Sequence, residues 1–150
     1  MVVGWRVCKT RHPPFDGEGA RLYGARWSSP GAPVIYGADS FAGAILEILV
    51  HALRPRTLPG AHHAVRIEVA DALVEELAAS ALPGWDQPHS AVAREYGDRW
   101  LKERRSPALL VPALPSRPVG KNLLINPLHP EAGAIVVSEP FAVPWDERLF

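Results

Sequence analysis

Two side chains of opposite charge lie in the stretch from Tyr23 to His51 in surroundings that are unusual for charged residues. Glu47 is the single carboxylate in the apolar run FAGAILEILVH, and Arg26 lies upstream in the segment GARWSSPG. A carboxylate stabilises positive charge that develops nearby, and a guanidinium binds phosphate or carboxylate oxygens through a planar fork of hydrogen bonds. The elements that carry these two groups decide whether they act together.

The run around Glu47 predicts a helix over Phe41–Leu53, capped by Asp39 or Ser40 and ended by Pro55. At about 100° per residue, apolar side chains cover most of its circumference. The remaining strip holds small residues around Glu47 instead of the Lys, Glu and Gln of a solvent face. This composition favours a helix that lines a cleft. Two alternatives stay open, because Glu47 could be a solvated acid on a surface helix or the partner of an arginine.

The other elements alternate between short strands and helices, separated by turns rich in the 16 prolines. This order predicts one α+β domain over residues 1–150, with mixed sheets flanked by helices. The predicted strands are Val2–Val7, Arg26–Ser28, Val34–Tyr36, His63–Val69, Ala108–Val111, Asn122–Ile125 and Ala134–Val137. The predicted helices besides Phe41–Leu53 are a short one from Asp71 through Ala79 and a longer one from Ser90 to near Arg105.

Composition excludes several kinds of protein. Lys plus Arg equals Asp plus Glu at 16 each, which gives no support for an electrostatic grip on nucleic acid or a membrane surface. The single cysteine, Cys8, excludes an intramolecular disulfide, and the pair His62–His63 has no acid or cysteine at ligand spacing, so no metal is expected. No signal peptide or membrane-spanning run is recognised, which predicts a cytoplasmic protein.

Several motifs then occur in a fixed order along almost the whole chain. They are Gly24-Ala25-Arg26-Trp27-Ser28-Ser29-Pro30-Gly31, then Tyr36, then Ile45-Leu46-Glu47-Ile48-Leu49-Val50-His51, and finally Asn122-Leu123-Leu124-Ile125-Asn126-Pro127-Leu128-His129-Pro130. This series resembles the RES-domain family of bacterial toxins, which belong to type II toxin–antitoxin pairs and are usually encoded beside an Xre-type antitoxin. One departure concerns a Val-Pro-Ser segment of the family. This chain has Val111-Pro112-Ala113 there, and a serine follows only at Ser116.

The resemblance implies an ADP-ribosyltransferase-like fold and an enzyme that consumes NAD⁺ as a substrate, with no resident cofactor. Several family members pass ADP-ribose to inorganic phosphate and are therefore NAD⁺ phosphorylases. Carried over residue by residue, the resemblance implies that Glu47, Arg26 and Tyr36 are catalytic. It also implies that Arg6, Arg26, Tyr36 and Ser116 bind NAD⁺. An Xre-type antitoxin is the expected partner and would block the active site, without direct contact of this chain to nucleic acid.

The chemistry of these residue types agrees with that implication. Breaking a nicotinamide–ribose bond builds positive charge on the sugar, which a carboxylate such as Glu47 stabilises. Guanidinium groups at Arg6 and Arg26 suit the pyrophosphate, and Tyr36 offers a face for stacking. Ser116 could hydrogen-bond nicotinamide or ribose.

Other interpretations of the same residues stay open. Arg6 and Arg26 could be surface charges, Tyr36 a core residue and Ser116 a turn serine. His51 could orient Glu47 or be structural, and Asn122, Asn126 and His129 are interpreted as turn and cap residues. At the level of function, a mono-ADP-ribosyltransferase acting on a protein and a non-enzymatic antitoxin-binding module remain alternatives. No glycine-rich dinucleotide motif occurs, so NAD⁺ would not bind as in a Rossmann domain.

Overall fold

The computed structural model describes residues 1–52, 54 and 56–150. Its helices and strands confirm the predicted α+β class. The strands are β1 Val2–Lys9, β2 Ile35–Ala38, β3 His62–Val69, β4 Val74–Glu76, β5 Ala108–Pro112, β6 Lys121–Ile125, β7 Val136–Val137 and β8 Phe141–Ala142. The α-helices are α1 Glu18–Tyr23, α2 Phe41–Val50 and α3 Ala91–Glu103. Within the described residues, no helix is long and apolar enough to cross a membrane.

The strands form one mixed sheet in the order β4-β5-β6-β2-β1-β3-β7, with β8 also paired to β3. Only the β4–β5 pair is parallel among the strands of the described residues. β1 pairs with β3 over its whole length, but with β2 only at Trp5 and Ala38. Because β1 and β2 separate beyond that pair, the sheet leaves space beside Arg6 and Tyr36.

Helix α3 packs against one face of the sheet in a cluster that contains three tryptophans, Trp27, Trp85 and Trp100. Gly97 allows the closest approach, since a Cβ there would lie 1.6 Å from the carbonyl oxygen of Trp27. Asp98, the next residue, accepts hydrogen bonds from the backbone N–H and the hydroxyl of Ser29 at 2.8 and 2.5 Å. Helix α3 therefore fixes the turn that carries Arg26.

Helix α2 packs on the sheet through Ala44 and half-buried apolar residues, and Val50 at its end is exposed. Its predicted start is confirmed, because Ser40 caps the helix by accepting a hydrogen bond from Gly43 N at 2.9 Å. The helix ends at Val50, earlier than predicted. The two positions Leu53 and Pro55, on which the predicted end rests, lie outside the described residues.

Two predicted elements are wrong. Arg26–Ser28 is not a strand but part of a tight turn, closed by a hydrogen bond of 2.9 Å from Ala25 N to Ser28 O. The segment predicted as a helix from Asp71 forms a 3-10 turn over Asp71–Leu73 and then β4, because the edge of β5 is available for pairing. Helix α1 and strand β8 are not predicted from the sequence. The strand predicted over Ala134–Val137 is shorter in the structure and covers Val136–Val137. The helix predicted from Ser90 is confirmed as α3.

Candidate active site

A cavity of about 550 Å³ opens where β1 and β2 separate. Helix α2 and the turn that carries Arg26 contribute to its walls. Four of the residues that the sequence indicates line this one cavity: Arg6, Arg26, Tyr36 and Glu47. They come from β1, the 24–31 turn, β2 and α2. The volume lies in the range of small-molecule sites, roughly 300–1,000 Å³.

Arg6 is the most unusual charge in the cavity wall. Its Nη1 donates a hydrogen bond of 3.0 Å to the carbonyl oxygen of Tyr36, whereas its Nε is buried and has no hydrogen-bond partner in the described part of the chain. Burial lowers the pKa of Arg6, and the charges of Cys8 and Asp16 oppose this effect. Among the described residues, no carboxylate forms an ion pair with it. A partly buried cation in this condition is costly unless an anion compensates it.

Arg26 is held in place by backbone carbonyls. Its Nη1 donates hydrogen bonds of 2.9 Å each to the carbonyl oxygens of Trp85 and Gln87. The ring of Trp85 stacks on the neighbouring Trp27, with centroids 6.3 Å apart and planes inclined by 19°. One edge of the guanidinium is thus engaged in the loop, and its positive charge faces the cavity without a carboxylate partner in the described part of the chain.

Tyr36 contributes a partly buried ring to the wall, and its hydroxyl lies 2.8 Å from Oγ of the fully buried Ser28. Burial raises the pKa of Tyr36 well above its usual range, and the hydrogen bond with Ser28 only partly opposes this effect. The phenol therefore stays neutral at physiological pH. Tyr36 is thus both a core residue and a cavity residue, the two interpretations that the sequence left open. Its ring packs against the core beside α3 and also borders the cavity.

Glu47 points from α2 into the cavity and is oriented by β6. The amide of Asn122 donates to Oε1 of Glu47 at 3.3 Å and to the carbonyl oxygen of Gly37 at 3.1 Å. Gly43, one turn earlier, lets α2 approach β2, since a Cβ there would lie 3.3 Å from that of Ala38. An ion pair between Glu47 and an arginine, one of the alternatives for this acid, is absent from the described residues.

Ser116 and His51 both form local contacts within the chain. Ser116 is not among the residues that line the cavity, although its neighbours Leu114 and Pro115 are. Its hydroxyl packs over Gly120, where a Cβ would lie 1.9 Å from Oγ, so it acts as a turn residue. His51 borders the cavity, but its Nδ1 donates to the backbone carbonyl of Glu47 at 2.8 Å and does not orient the carboxylate.

Sequence reasoning misses the roles of Asn122 and Ser28. Asn122 is not a turn residue but lies on β6 and faces Glu47, and Ser28 bonds to the hydroxyl of Tyr36. The sequence does contain one signal for the role of Asn122, because this polar residue begins the predicted strand Asn122–Ile125. Asn126 does form a turn, accepting from Leu128 N at 3.0 Å. Among the described residues, no cluster of His, Cys, Asp and Glu has the arrangement of a metal site.

The fold and the cavity define a small α+β protein in which two arginines, Arg6 and Arg26, and one carboxylate, Glu47, line the same cavity. The sequence profile described as the RES domain matches residues 3–146. The chain therefore belongs to the RES domain family, as the sequence motifs indicate.

Curated relatives support this assignment over most of the chain. A Prs ADP-ribosylating toxin of Sphingobium sp. (strain YBL2) is 41% identical over 140 residues, which cover 90% of this chain and 86% of the relative. A protein named Toxin Res of Pseudomonas putida (strain KT2440) is 35% identical over 153 residues, covering 99% of this chain and 100% of the relative. Another Toxin Res, of Yersinia enterocolitica, is 35% identical over 138 residues, with 90% of each chain covered.

A solved structure shares the fold. It is the toxin–antitoxin complex MbcT–MbcA of M. tuberculosis, matched with a TM-score of 0.77 over 94% of this chain and 83% of the solved chain. The sequence identity is 22%, so the match concerns the fold.

Proposed function

We propose that this protein is the toxin of a type II toxin–antitoxin pair and that it degrades NAD⁺ by cleaving the nicotinamide–ribose bond, with phosphate as the acceptor of ADP-ribose. NAD⁺ is its substrate and it uses no resident cofactor. The names of the curated relatives, toxins and an ADP-ribosylating toxin, support the general activity. The arrangement of charges in the cavity supports the finer statement.

One observation carries the proposal. Arg6 and Glu47 lie on the walls of the same cavity, yet neither forms an ion pair within the described part of the chain. Nε of Arg6 is buried and finds no hydrogen-bond partner among the residues that the structure describes. A ligand that brings both an anion and a centre of developing positive charge would satisfy both groups. NAD⁺ has this combination, because its pyrophosphate is anionic and its ribose becomes cationic when nicotinamide leaves.

The residues divide the chemistry as follows. Arg6 and Arg26 bind the pyrophosphate oxygens through charge-assisted hydrogen bonds. Tyr36 presents its ring to nicotinamide and holds it beside the sugar. When the C1′–N bond breaks, its electron pair moves to the ring nitrogen and nicotinamide leaves neutral, so the leaving group needs no general acid. Glu47, oriented by Asn122, stabilises the oxocarbenium-like sugar.

A small Xre-type antitoxin is the proposed partner. It would neutralise the toxin by covering the mouth of the cavity and excluding NAD⁺. The match to a chain of a solved toxin–antitoxin complex supports the existence of a protein partner. Coexpression of a neighbouring helix-turn-helix protein should restore growth and yield a stable complex without NAD⁺ cleavage. A complex that cleaves NAD⁺ at the rate of the isolated protein would contradict inhibition at the active site.

A second candidate function is mono-ADP-ribosylation of a protein. It is favoured by the name of the relative from Sphingobium, a Prs ADP-ribosylating toxin. The same cavity would bind NAD⁺ and the same bond would break, but a protein side chain would accept ADP-ribose. The two functions therefore differ only in the acceptor.

The test uses protein made by cell-free synthesis and NAD⁺ labelled in the adenosine part. With phosphate present, the proposal predicts release of nicotinamide and a labelled ADP-ribose phosphate. Label that becomes attached to added cell proteins, without a phosphate-dependent product, would favour the second candidate. Absence of nicotinamide release under all conditions, from protein with a normal circular dichroism spectrum, would contradict both.

A further inference from the structure

A second cavity, of about 610 Å³, lies beside the first. The two cavities share part of their walls, including Arg26 and His51. The loop whose carbonyls hold Arg26 continues into the wall of the second cavity through Asp86 and His89. A molecule in the second cavity would therefore lie next to one in the first, with the guanidinium of Arg26 between them.

The second cavity is strongly basic. Three arginines line it, Arg26, Arg94 and Arg117, together with His51 and His89. Asp86 is the carboxylate in the same lining, and it lies 3.7 Å from Arg117. Since the whole chain has equal numbers of acidic and basic residues, this concentration of positive charge is local and does not follow from the composition.

The backbone adds to the attraction for an anion. Arg94 lies in the first turn of α3, whose N-terminus carries a partial positive charge. Ser90 fixes this end of the helix, because its Oγ accepts from Ala93 N at 3.2 Å and donates to Gly84 O at 2.8 Å. Arg94 forms no ion pair or side-chain hydrogen bond within the described residues, so its guanidinium is available to a ligand.

We infer that the second cavity is the acceptor site, in which Arg94 and Arg117 bind a phosphate dianion beside the NAD⁺ bound in the first cavity. This inference rests on the proposed cleavage of NAD⁺ and adds the location of the second substrate. The shared ligand chemistry is the phosphate group, either free inorganic phosphate or the phosphate of a small monoester. Free phosphate supplies an oxygen for the reaction directly.

The transfer step balances with these two substrates. An oxygen of hydrogen phosphate forms a bond to C1′ of the ribose as the C1′–N bond to nicotinamide breaks. The electron pair of that bond neutralises the positive ring nitrogen, and nicotinamide leaves. The proton of hydrogen phosphate stays on the new phosphate monoester and then exchanges with solvent. Arg26, at the wall between the cavities, lies where it attracts both the pyrophosphate and the incoming phosphate.

The experiment compares Arg94→Gln, Arg117→Gln and the double variant with Arg99→Gln. Arg99 is an exposed arginine of the same helix and is not in the lining of either cavity, so it is a matched control. Nicotinamide release is measured against phosphate and against NAD⁺ concentration. In the double variant, the phosphate concentration for half-maximal rate should rise at least about tenfold more than KM for NAD⁺, since charge-assisted contacts are lost. Arg99→Gln should leave both unchanged.

A binding measurement makes the result independent of turnover. Glu47→Gln protein should broaden the phosphorus NMR signal of inorganic phosphate in a saturable way. The double variant Glu47→Gln/Arg94→Gln should not broaden this signal. Methyl phosphate, a small monoester, is tested in parallel to distinguish the two sources of the phosphate group. Tighter binding of methyl phosphate, with no labelled ADP-ribose phosphate formed from free phosphate, would overturn free phosphate as the acceptor.

The outcomes separate this inference from the proposed function. Nicotinamide release that does not depend on phosphate would leave cleavage intact and contradict the acceptor site. A double variant that raises KM for NAD⁺ but not the half-saturating phosphate concentration would assign the second cavity to NAD⁺ itself. No nicotinamide release by the parent protein would contradict the proposed function, while the phosphorus NMR titration would still show whether Arg94 binds phosphate.

Discussion

The edge of the sheet at β4 and the cavity between β1 and β2 contain the same types of charged residue in opposite arrangements. At the edge, Glu75 lies 3.1 Å from Arg105, and Glu76 forms an ion pair with Lys121. In the cavity, Arg6 and Glu47 lie on the same walls without an ion pair among the described residues. The first region neutralises its charges internally, and the second leaves them for a ligand.

The difference matters because the two regions differ in their exposure to water. Exposed pairs such as those at the edge contribute only about 0–1 kcal/mol each, because water screens them. Arg6 is partly buried and has no counterion within the described residues, which is unfavourable, so folding alone gives no reason to place it there. The comparison therefore predicts that substitutions in the cavity change activity greatly and stability little, whereas those at the edge change both only slightly.

The largest effect is expected for Glu47→Gln. The amide keeps the shape of the carboxylate but loses the negative charge that stabilises the cationic sugar. The rate of nicotinamide release should fall by about 10²- to 10³-fold, the range found when a group that stabilises transition-state charge is removed. Glu76→Gln at the edge is the matched control and should keep the parental rate. Comparable losses in both variants would remove the distinction between the two regions.

The next effect is expected for Arg6→Gln. Loss of a charged hydrogen-bond donor should weaken NAD⁺ binding by about 10- to 100-fold, seen as a higher KM. The free energy of unfolding, measured in urea, should stay the same or rise, because a partly buried cation without a counterion is removed. Arg105→Gln is the control for charge and should leave KM unchanged. A large loss of stability in Arg6→Gln with normal KM would instead identify Arg6 as a structural residue.

A smaller effect is expected for Asn122→Ala. This change removes the amide that donates to Glu47 at 3.3 Å and to Gly37 at 3.1 Å. The turnover number should fall by about 5- to 10-fold, corresponding to a neutral hydrogen bond of about 1 kcal/mol. KM for NAD⁺ should change much less, because Asn122 positions the acid and does not contact the pyrophosphate. An unchanged turnover number would mean that Glu47 is oriented without Asn122.

The smallest effect is expected at the edge itself. Arg105→Gln breaks the pair with Glu75 and the contact of the guanidinium with the ring of Tyr96, 5.2 Å from its centroid. The free energy of unfolding should fall by less than about 1 kcal/mol, and less still in high salt. Urea unfolding of the parent protein and of Arg105→Gln, at low and at high salt, measures the loss of unfolding free energy under each condition. A salt-independent loss above that size would show that the edge pair is not a screened surface contact.

The apolar pattern around Glu47 indicates a helix that lines a cleft, and the resemblance to the RES family implies that Arg26 belongs to the same site; both residues line one cavity. The apolar run around Glu47 and the cap at Ser40 specify a helix, and the motif around Arg26 places it near the strand that carries Tyr36. The separation of β1 and β2 could not be anticipated, because it depends on long-range pairing.

Other features depend on contacts that no local pattern encodes. The segment after Asp71 forms β4 because β5 offers an unpaired edge, which overrides its local preference for a helix. Asp98 of α3 fixes the Arg26 turn through Ser29, 69 residues away in sequence. The resemblance to the RES family implies that Ser116 is a site residue, but the turn places its hydroxyl over Gly120. The second basic cavity likewise combines arginines from three separate segments.

The central claim is that the unpaired charges of the first cavity are the binding determinants of NAD⁺. Isothermal titration calorimetry of NAD⁺ into Glu47→Gln protein, in which NAD⁺ is cleaved far more slowly, tests this claim most directly. The account predicts one binding site per chain, and binding weaker by about 10- to 100-fold when Arg6→Gln is added to the same protein. Equal affinity in the two proteins, or no binding to folded Glu47→Gln protein, would contradict it.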